Sequence, residues 1–197
     1  MRNFWDERYD TAEFVYGESP NTFFAKSLKE IKPGILVLPC EGEGRNAVYA
    51  ASIGWNVKAF DLSEVGKQKA EQFALNKGVR IDYQITDATA ATYPDNSIDA
   101  VALVFAHLPK DARSIMHENI KRWLKPGGIL IAEMFSPNQL HKSTGGPKDI
   151  EMLYTIDLLK KDFEGFTFSF LEECDIELDE GVYHNGPASV IRMIAIK

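Results

Sequence analysis

Short apolar runs alternate with amphipathic stretches along most of the chain. Ile35-Leu36-Val37-Leu38 is branched, continuous and bounded by Pro33-Gly34 and Pro39, which predicts a buried strand. Arg45 to Ile53 carries Ala47, Val48, Ala50 and Ala51, a small-residue helix that Gly54 stops. Val57-Lys58-Ala59-Phe60 predicts the next strand. Ser63 stands where it caps a helix with Glu64 in its first turn, where the helix dipole favours an acid. Val65, Ala70, Phe73 and Ala74 give that helix an apolar side as far as Asn76-Lys77-Gly78, and Ile81 to Ile85 predicts a third strand. Asp99 to Phe105 is the most apolar stretch and needs cover on both faces, as the central strand of a parallel sheet does. Ala112, Ile115, Met116, Ile120, Trp123 and Leu124 recur at spacings of three and four; this helix ends at Lys125-Pro126-Gly127-Gly128, before Ile129 to Ala132 opens a fifth strand.

Strands alternating with helices in this way predict a doubly wound α/β sheet. The pattern then changes. A loop from Ser136 to Lys148 contains Gly145-Gly146-Pro147, a helix is expected from Ile156 to Phe163, and two long strand-like segments follow, Thr167 to Leu178 and Ser189 to Ile196. The turn-rich stretch from Asp179 to Pro187 between them predicts an antiparallel pair at the sheet edge. With 197 residues and neither repeat nor linker, a single domain is expected.

Composition narrows the partners. The 22 Lys and Arg against 29 Asp and Glu leave a net charge of −7, which repels a phosphate backbone, so no nucleic-acid partner is expected. The longest apolar run, Ala100 to Ala106, is far short of the roughly 20 residues of a membrane-spanning helix. The first residues, Met1-Arg2-Asn3-Phe4-Trp5-Asp6-Glu7-Arg8, lack the pattern of a secretory signal, and a cytoplasmic location is the expectation. Cys40 and Cys174 read as buried small hydrophobes, with no metal site.

The candidate chemistry begins at Glu41-Gly42-Glu43-Gly44-Arg45-Asn46, where glycines at the end of the first strand let a ligand approach the backbone. Gly42 to Ala47 also fits G-x-G-x-x-G/A, so the loop by itself leaves a nicotinamide cofactor open. Against that, no Tyr-x-x-x-Lys pair lies near the fourth and fifth strands. Asp61 ends the second strand 17 residues after Gly44, where an acid can take both ribose hydroxyls, and Asp87 ends the third, positioned for an adenine amine. His107 follows the fourth strand and reads equally as a base or as a histidine closing the strand. His141 and His184 fall in late loops that could roof the site, with surface residues as the favoured reading, and His117 lies off the apolar stripe of its helix and reads as solvent-facing. Phe4, Trp5, Tyr9, Phe14, Tyr16, Phe23 and Phe24 crowd the first 24 residues, as a lid over a site or as core.

These pieces together resemble the class I S-adenosylmethionine-dependent methyltransferases over nearly the whole chain. The matching motifs are the Gly-loop, Phe60-Asp61-Leu62-Ser63, Thr86-Asp87-Ala88, Asn96-Ser97-Ile98-Asp99-Ala100-Val101 and Leu124-Lys125-Pro126-Gly127-Gly128. Within that superfamily, Trp5-Asp6-Glu7-Arg8-Tyr9, Glu43-Gly44-Arg45-Asn46-Ala47-Val48-Tyr49 and His107-Leu108-Pro109 are similar to the small tellurite-resistance and thiopurine methyltransferase-like group. Leu38 and Cys40 stand where the usual loop has an acid and a further glycine, which leaves Glu41 to hold the methionine part. The resemblance implies a seven-stranded, mostly parallel Rossmann-like sheet with an antiparallel last strand, and S-adenosyl-L-methionine as cofactor. Expected cofactor contacts are Trp5, Glu41, Gly42, Gly44, Asn46, Asp61, Leu62, Asp87, Ala88 and Ala106. Tyr16 and Phe135 are expected at a small-molecule acceptor, and His107 is the candidate catalytic base. A cofactor-binding sensor without turnover is the non-enzyme alternative.

Overall fold

The computed structural model describes residues 2–197. Strand β1 (Ile35–Pro39) pairs in parallel with β2 (Asn56–Asp61) on one side and β4 (Ile98–Val104) on the other. Beyond them lie β3 (Asp82–Ile85) and β5 (Leu124–Phe135), also parallel. Strand β7 (Asn185–Ile196) runs antiparallel between β5 and the edge strand β6 (Thr167–Asp179), completing a seven-stranded sheet of order β3-β2-β1-β4-β5-β7-β6. The expected fold class is the observed one. Strand order reverses between β1 and β4, and a doubly wound sheet opens a crevice at that point, beyond the strands' carboxyl ends.

Successive strand residues point to opposite faces, so each face receives alternate side chains. On one face Leu36, Leu38, Ala59, Ala100 and Ala102 pack with Phe24 and Leu28 of α2 (Thr22–Lys29), Ala47 and Ala50 of α3 (Arg45–Ser52) and Ala70 of α4 (Glu64–Asn76). The small residues on both sides let α3 approach the sheet closely. On the other face Val37, Val101, Leu103, Leu130 and Met134 pack with Met116, Ile120 and Trp123 of α5 (Lys110–Trp123) and Leu159 of α6 (Ile156–Asp162). Helix α1 (Arg2–Tyr9) lies against the start of α4: Ser63 Oγ and the Glu64 amide both donate to Asp6 Oδ1, at 2.6 and 2.9 Å.

Four expectations change. Strand β5 starts at Leu124 rather than Ile129, because Leu124 pairs with Ile98 and Gly127 and Gly128 exchange hydrogen bonds with Lys197. Strand β7 starts at Asn185, not Ser189, since pairing with β6 continues to Asp179. His117 is buried at 1% exposure rather than solvent-facing: its Nδ1 is 2.8 Å from Asp162 Oδ2 on α6, and Tyr154 and Phe163 cover the ring. A polar side chain off the apolar stripe can be buried when another element brings it a charged partner. Cys40 and Cys174, expected to be buried, are each only partly so.

Candidate active site

At the switch point lies a cavity of about 440 Å³, within the range of small-molecule sites. Its floor is the loop after β1. Gly42 and Gly44 have φ of 59° and 85°, and a Cβ would stand 2.5 Å from Tyr9 Oη at the first and 2.5 Å from Ala70 Cβ at the second. These glycines therefore admit protein neighbours, α1 and α4, as well as a ligand. Tyr83 Oη donates to the Gly42 carbonyl at 2.6 Å and pins the turn.

Glycine at the N-cap of α3 has no capping side chain, and Glu41 substitutes for one: its Oε1 accepts from the Ala47 amide at 2.7 Å. Burial pushes the Glu41 carboxyl up to about 7. Glu43 accepts from the Val15 amide at 2.9 Å and meets Lys69 Nζ at 2.5 Å, and Asn46 Oδ1 accepts from the Asn21 amide at 2.9 Å. Each loop side chain thus ties down a neighbouring segment.

Asp61 closes β2 at the cavity wall and is 7% exposed. Its Oδ2 accepts from the Gly42 amide at 3.1 Å and its Oδ1 from the Ser63 amide at 2.9 Å. Burial raises its pKa. Each oxygen retains acceptor capacity, since a carboxylate offers about four lone-pair sites. Asp87 at the end of the next strand uses Oδ1 in a turn with Thr89, whose amide and hydroxyl donate at 2.8 and 2.6 Å; these bonds hold its pKa down. Leu62, Ala88 and Ala106 supply small apolar lining between the acids. Trp5 lines the same end and stacks on Tyr9 at 5.6 Å between ring centroids.

The opposite end is an aromatic box. Phe105, at an uncommon φ of 52°, lies 4.5 Å from Phe135 and 4.6 Å from the His184 ring, and Tyr16 lies 4.6 Å from His184. Arg8 stands over Tyr183 at 4.0 Å and donates to Tyr16 Oη at 3.3 Å.

His107 lines the cavity, but the Phe135 amide donates to its Nε2 at 3.1 Å and its Nδ1 lies 2.7 Å from the Met152 carbonyl oxygen. Burial lowers its pKa to about 4. With both ring nitrogens occupied by backbone, no lone pair is left for a substrate proton. This geometry favours the second of its two readings, a histidine that closes the strand, over the base. His184, for which the surface was the favoured reading and a roof over the site the other, is 6% exposed and lines the cavity from the turn between β6 and β7, whereas His141 is exposed. Sequence reasoning missed Arg8 in the cavity wall and Glu180 behind His184, and it favoured the surface over the site for His184 itself. The signal available for His184 was a histidine set among Gly181, Asn185 and Gly186 in a hairpin turn. Among the described residues no group of three or more His, Cys, Asp or Glu is placed to hold a metal, and no helix is long and apolar enough to cross a membrane.

Residues 35–128 match the family described as a methyltransferase domain. The ubiquinone/menaquinone biosynthesis C-methyltransferase UbiE of Hydrogenovibrio crunogenus is 34% identical over 118 residues, 57% of this chain and 46% of that protein. A structure from work on the conversion of a disulfide bond into a thioacetal group during echinomycin biosynthesis aligns with a TM-score of 0.81 at 17% identity, covering 100% of this chain and 91% of that one. TehB from Haemophilus influenzae aligns with a TM-score of 0.73 at 20% identity, covering 100% and 66%. The chain spans less than half the length of the curated relatives it matches. Residues 35–128, from β1 into β5, thus match a methyltransferase-domain sequence, carried on a seven-stranded Rossmann-like sheet.

Proposed function

We propose that the protein transfers a methyl group from S-adenosyl-L-methionine to a small-molecule acceptor. The observation that carries this reading is the division of one cavity into two ends, acids around a glycine loop at one and an aromatic box at the other. The donor set fits the cofactor. Asp61 has acceptor capacity for ribose hydroxyls, Asp87 keeps Oδ2 outside its turn for an adenine amine, Leu62 and Ala88 offer apolar faces, and Glu41 offers a carboxylate to an ammonium. When bound, the cofactor supplies an electrophilic methyl group on a sulfonium. The chain's own task is then positioning: the Phe105, Phe135 and Tyr16 rings exclude water and hold an acceptor in line, an effect worth up to about 7–11 kcal/mol. The limited cavity and the net charge of −7 support a small molecule over nucleic acid. The resemblance to the tellurite-resistance and thiopurine group supports a soft nucleophile within this reading, and two free cysteines fit a reducing, cytoplasmic setting.

Titration calorimetry with S-adenosylhomocysteine tests the cofactor. Asp61→Ala is expected to weaken binding by about 10–100-fold, equivalent to the roughly 1.5–3 kcal/mol of hydrogen bonds to a charged group; unchanged affinity in a folded variant removes Asp61 from the site. Affinity should also rise as pH is taken upward through about 7, because Glu41 gains the charge that attracts an ammonium as it loses its proton. Glu41→Gln should flatten that dependence. A screen of thiols, phenols, amines and chalcogen oxyanions, read by mass spectrometry, tests transfer; a bound cofactor with no methylated product in any class favours the sensor.

A further inference from the structure

We propose that His184, oriented by Glu180, takes the proton from the acceptor's nucleophilic atom, so that the site methylates acceptors that enter protonated, such as a phenol or a neutral thiol. This rests on the methyltransferase reading and adds the acceptor class and its base to it.

His184 is buried against Phe105, Phe135 and Tyr16 and lines the cavity. Among the described residues its Nδ1 has no hydrogen-bond partner, and it faces Glu180 Oε2 at 3.6 Å. Glu180 is held from two sides: Arg45 donates to Oε2 at 2.7 Å and Asn21 Nδ2 to Oε1 at 3.0 Å. Burial works against the charge on Glu180, yet its contacts with His184 and the Arg45 guanidinium hold its carboxyl down at about 2, so it meets Nδ1 as a carboxylate. A proton on Nδ1 directed at Glu180 leaves the lone pair of Nε2 for a ligand. Gly145, at φ 95°, makes room for the ring, since a Cβ there would come 3.2 Å from His184 Cδ2.

Other cavity groups are less suited. His107 has both nitrogens engaged, burial pushes the Cys40 thiol far above its ordinary range, and Tyr16 Oη accepts from Arg8. The groups acting on His184 are Glu180 on the same turn, Arg45 on α3, Arg8 on α1, Tyr16 before α2 and His107 after β4. Burial lowers the His184 pKa and Glu180 opposes the shift, which keeps the imidazole neutral and basic at pH 7. In the reaction the acceptor's proton passes to Nε2, the freed electron pair forms the bond to the methyl carbon, and the carbon–sulfur pair remains on sulfur. The imidazolium so formed lies beside the Glu180 carboxylate and loses its proton to solvent after product leaves.

Two measurements decide this. Nitrogen-15 histidine spectra of the cofactor-free protein should show His184 as the Nδ1–H tautomer, titrating below 6.5, with the midpoint falling further in Glu180→Gln as the stabilising anion is lost. An Nε2–H tautomer, or a midpoint indifferent to Glu180→Gln, overturns the proposal without any need for a folded His184 variant. With the protonated acceptors of the screen, phenol among them, His184→Gln should lower kcat about 10²–10⁴-fold and remove the acidic limb of its pH profile, with S-adenosylhomocysteine affinity near wild type. Full turnover in that variant, or a wild-type enzyme that methylates only acceptors already ionised, overturns it. Failure of the wild type to bind S-adenosylhomocysteine would instead overturn the methyltransferase reading, which the spectra do not depend on.

Discussion

Deleting residues 1–16 is expected to abolish turnover, weaken cofactor binding and lower the melting temperature in the same protein. The segment is anchored to the start of α4 and to the glycine loop. Asp6 accepts from Ser63 and Glu64 at the start of α4, Tyr9 is 4% exposed beside Gly42, and the Val15 amide donates to Glu43. Lys69 Nζ donates to the carbonyls of Thr11 and Glu13 at 3.1 and 2.7 Å, stapling the chain between these points. Trp5, Tyr9 and Tyr16 line the cavity, whereas Phe24 belongs to the core. Losing the burial of one such ring costs about 3–5 kcal/mol, and in a domain of this size each kcal/mol moves the melting temperature by about 2–4 °C. A fall of about 6–20 °C in scanning calorimetry is therefore expected, together with loss of S-adenosylhomocysteine binding. An unchanged melting temperature with lost activity would mean that the segment is a loose lid instead of a docked strap.

Arg192→Met should destabilise the fold by about 3–5 kcal/mol at neutral pH, the range for removing one partner of a buried ion pair. Arg192 and Glu133 face each other across β7 and β5, with Arg192 Nε 2.6 Å from Glu133 Oε2, and Glu133 is 1% exposed. Asn21 Nδ2 donates to the other oxygen at 2.6 Å and also reaches Glu180, which joins this pair to Arg45 and the roof of the cavity. Burial already raises the Glu133 pKa, with Arg192 opposing, and the substitution removes that opposition. A carboxyl whose folded pKa exceeds its unfolded value of about 4.3 makes stability fall as pH rises between the two. The deficit should therefore shrink on acidification, as Glu133 takes up a proton, and be complete above its folded pKa. Urea unfolding at several pH values checks this, and Glu133→Gln combined with Arg192→Met should recover part of the loss. A deficit independent of pH would show that packing of Arg192 on Phe23, 5.2 Å from its guanidinium, dominates instead.

The periodicity of apolar residues and the placement of Gly and Ser were enough to locate each strand and most helices. The Ser63 cap is an example: the side chain accepts from the Gly66 amide at 2.9 Å, three residues along the chain. The acids at the ends of β2 and β3 were legible for the same reason, because strand termini in a doubly wound sheet converge on one crevice whatever the side chains between them. Histidine roles were not. Both ring nitrogens of His107 meet the backbone of residues 135 and 152, and His117 is buried beside an acid 45 positions away on α6. His184 became part of the cavity only because β7 inserts between β5 and β6 and brings its turn over Phe105 and Phe135. Local pattern determined which segments are strands and helices and where the glycine loop opens, since those depend on neighbours within a few residues. Which ring nitrogen is free, and which carboxylate stands behind it, was decided by tertiary packing, because a hydrogen bond or ion pair depends on distance in space and leaves no periodic trace along the chain.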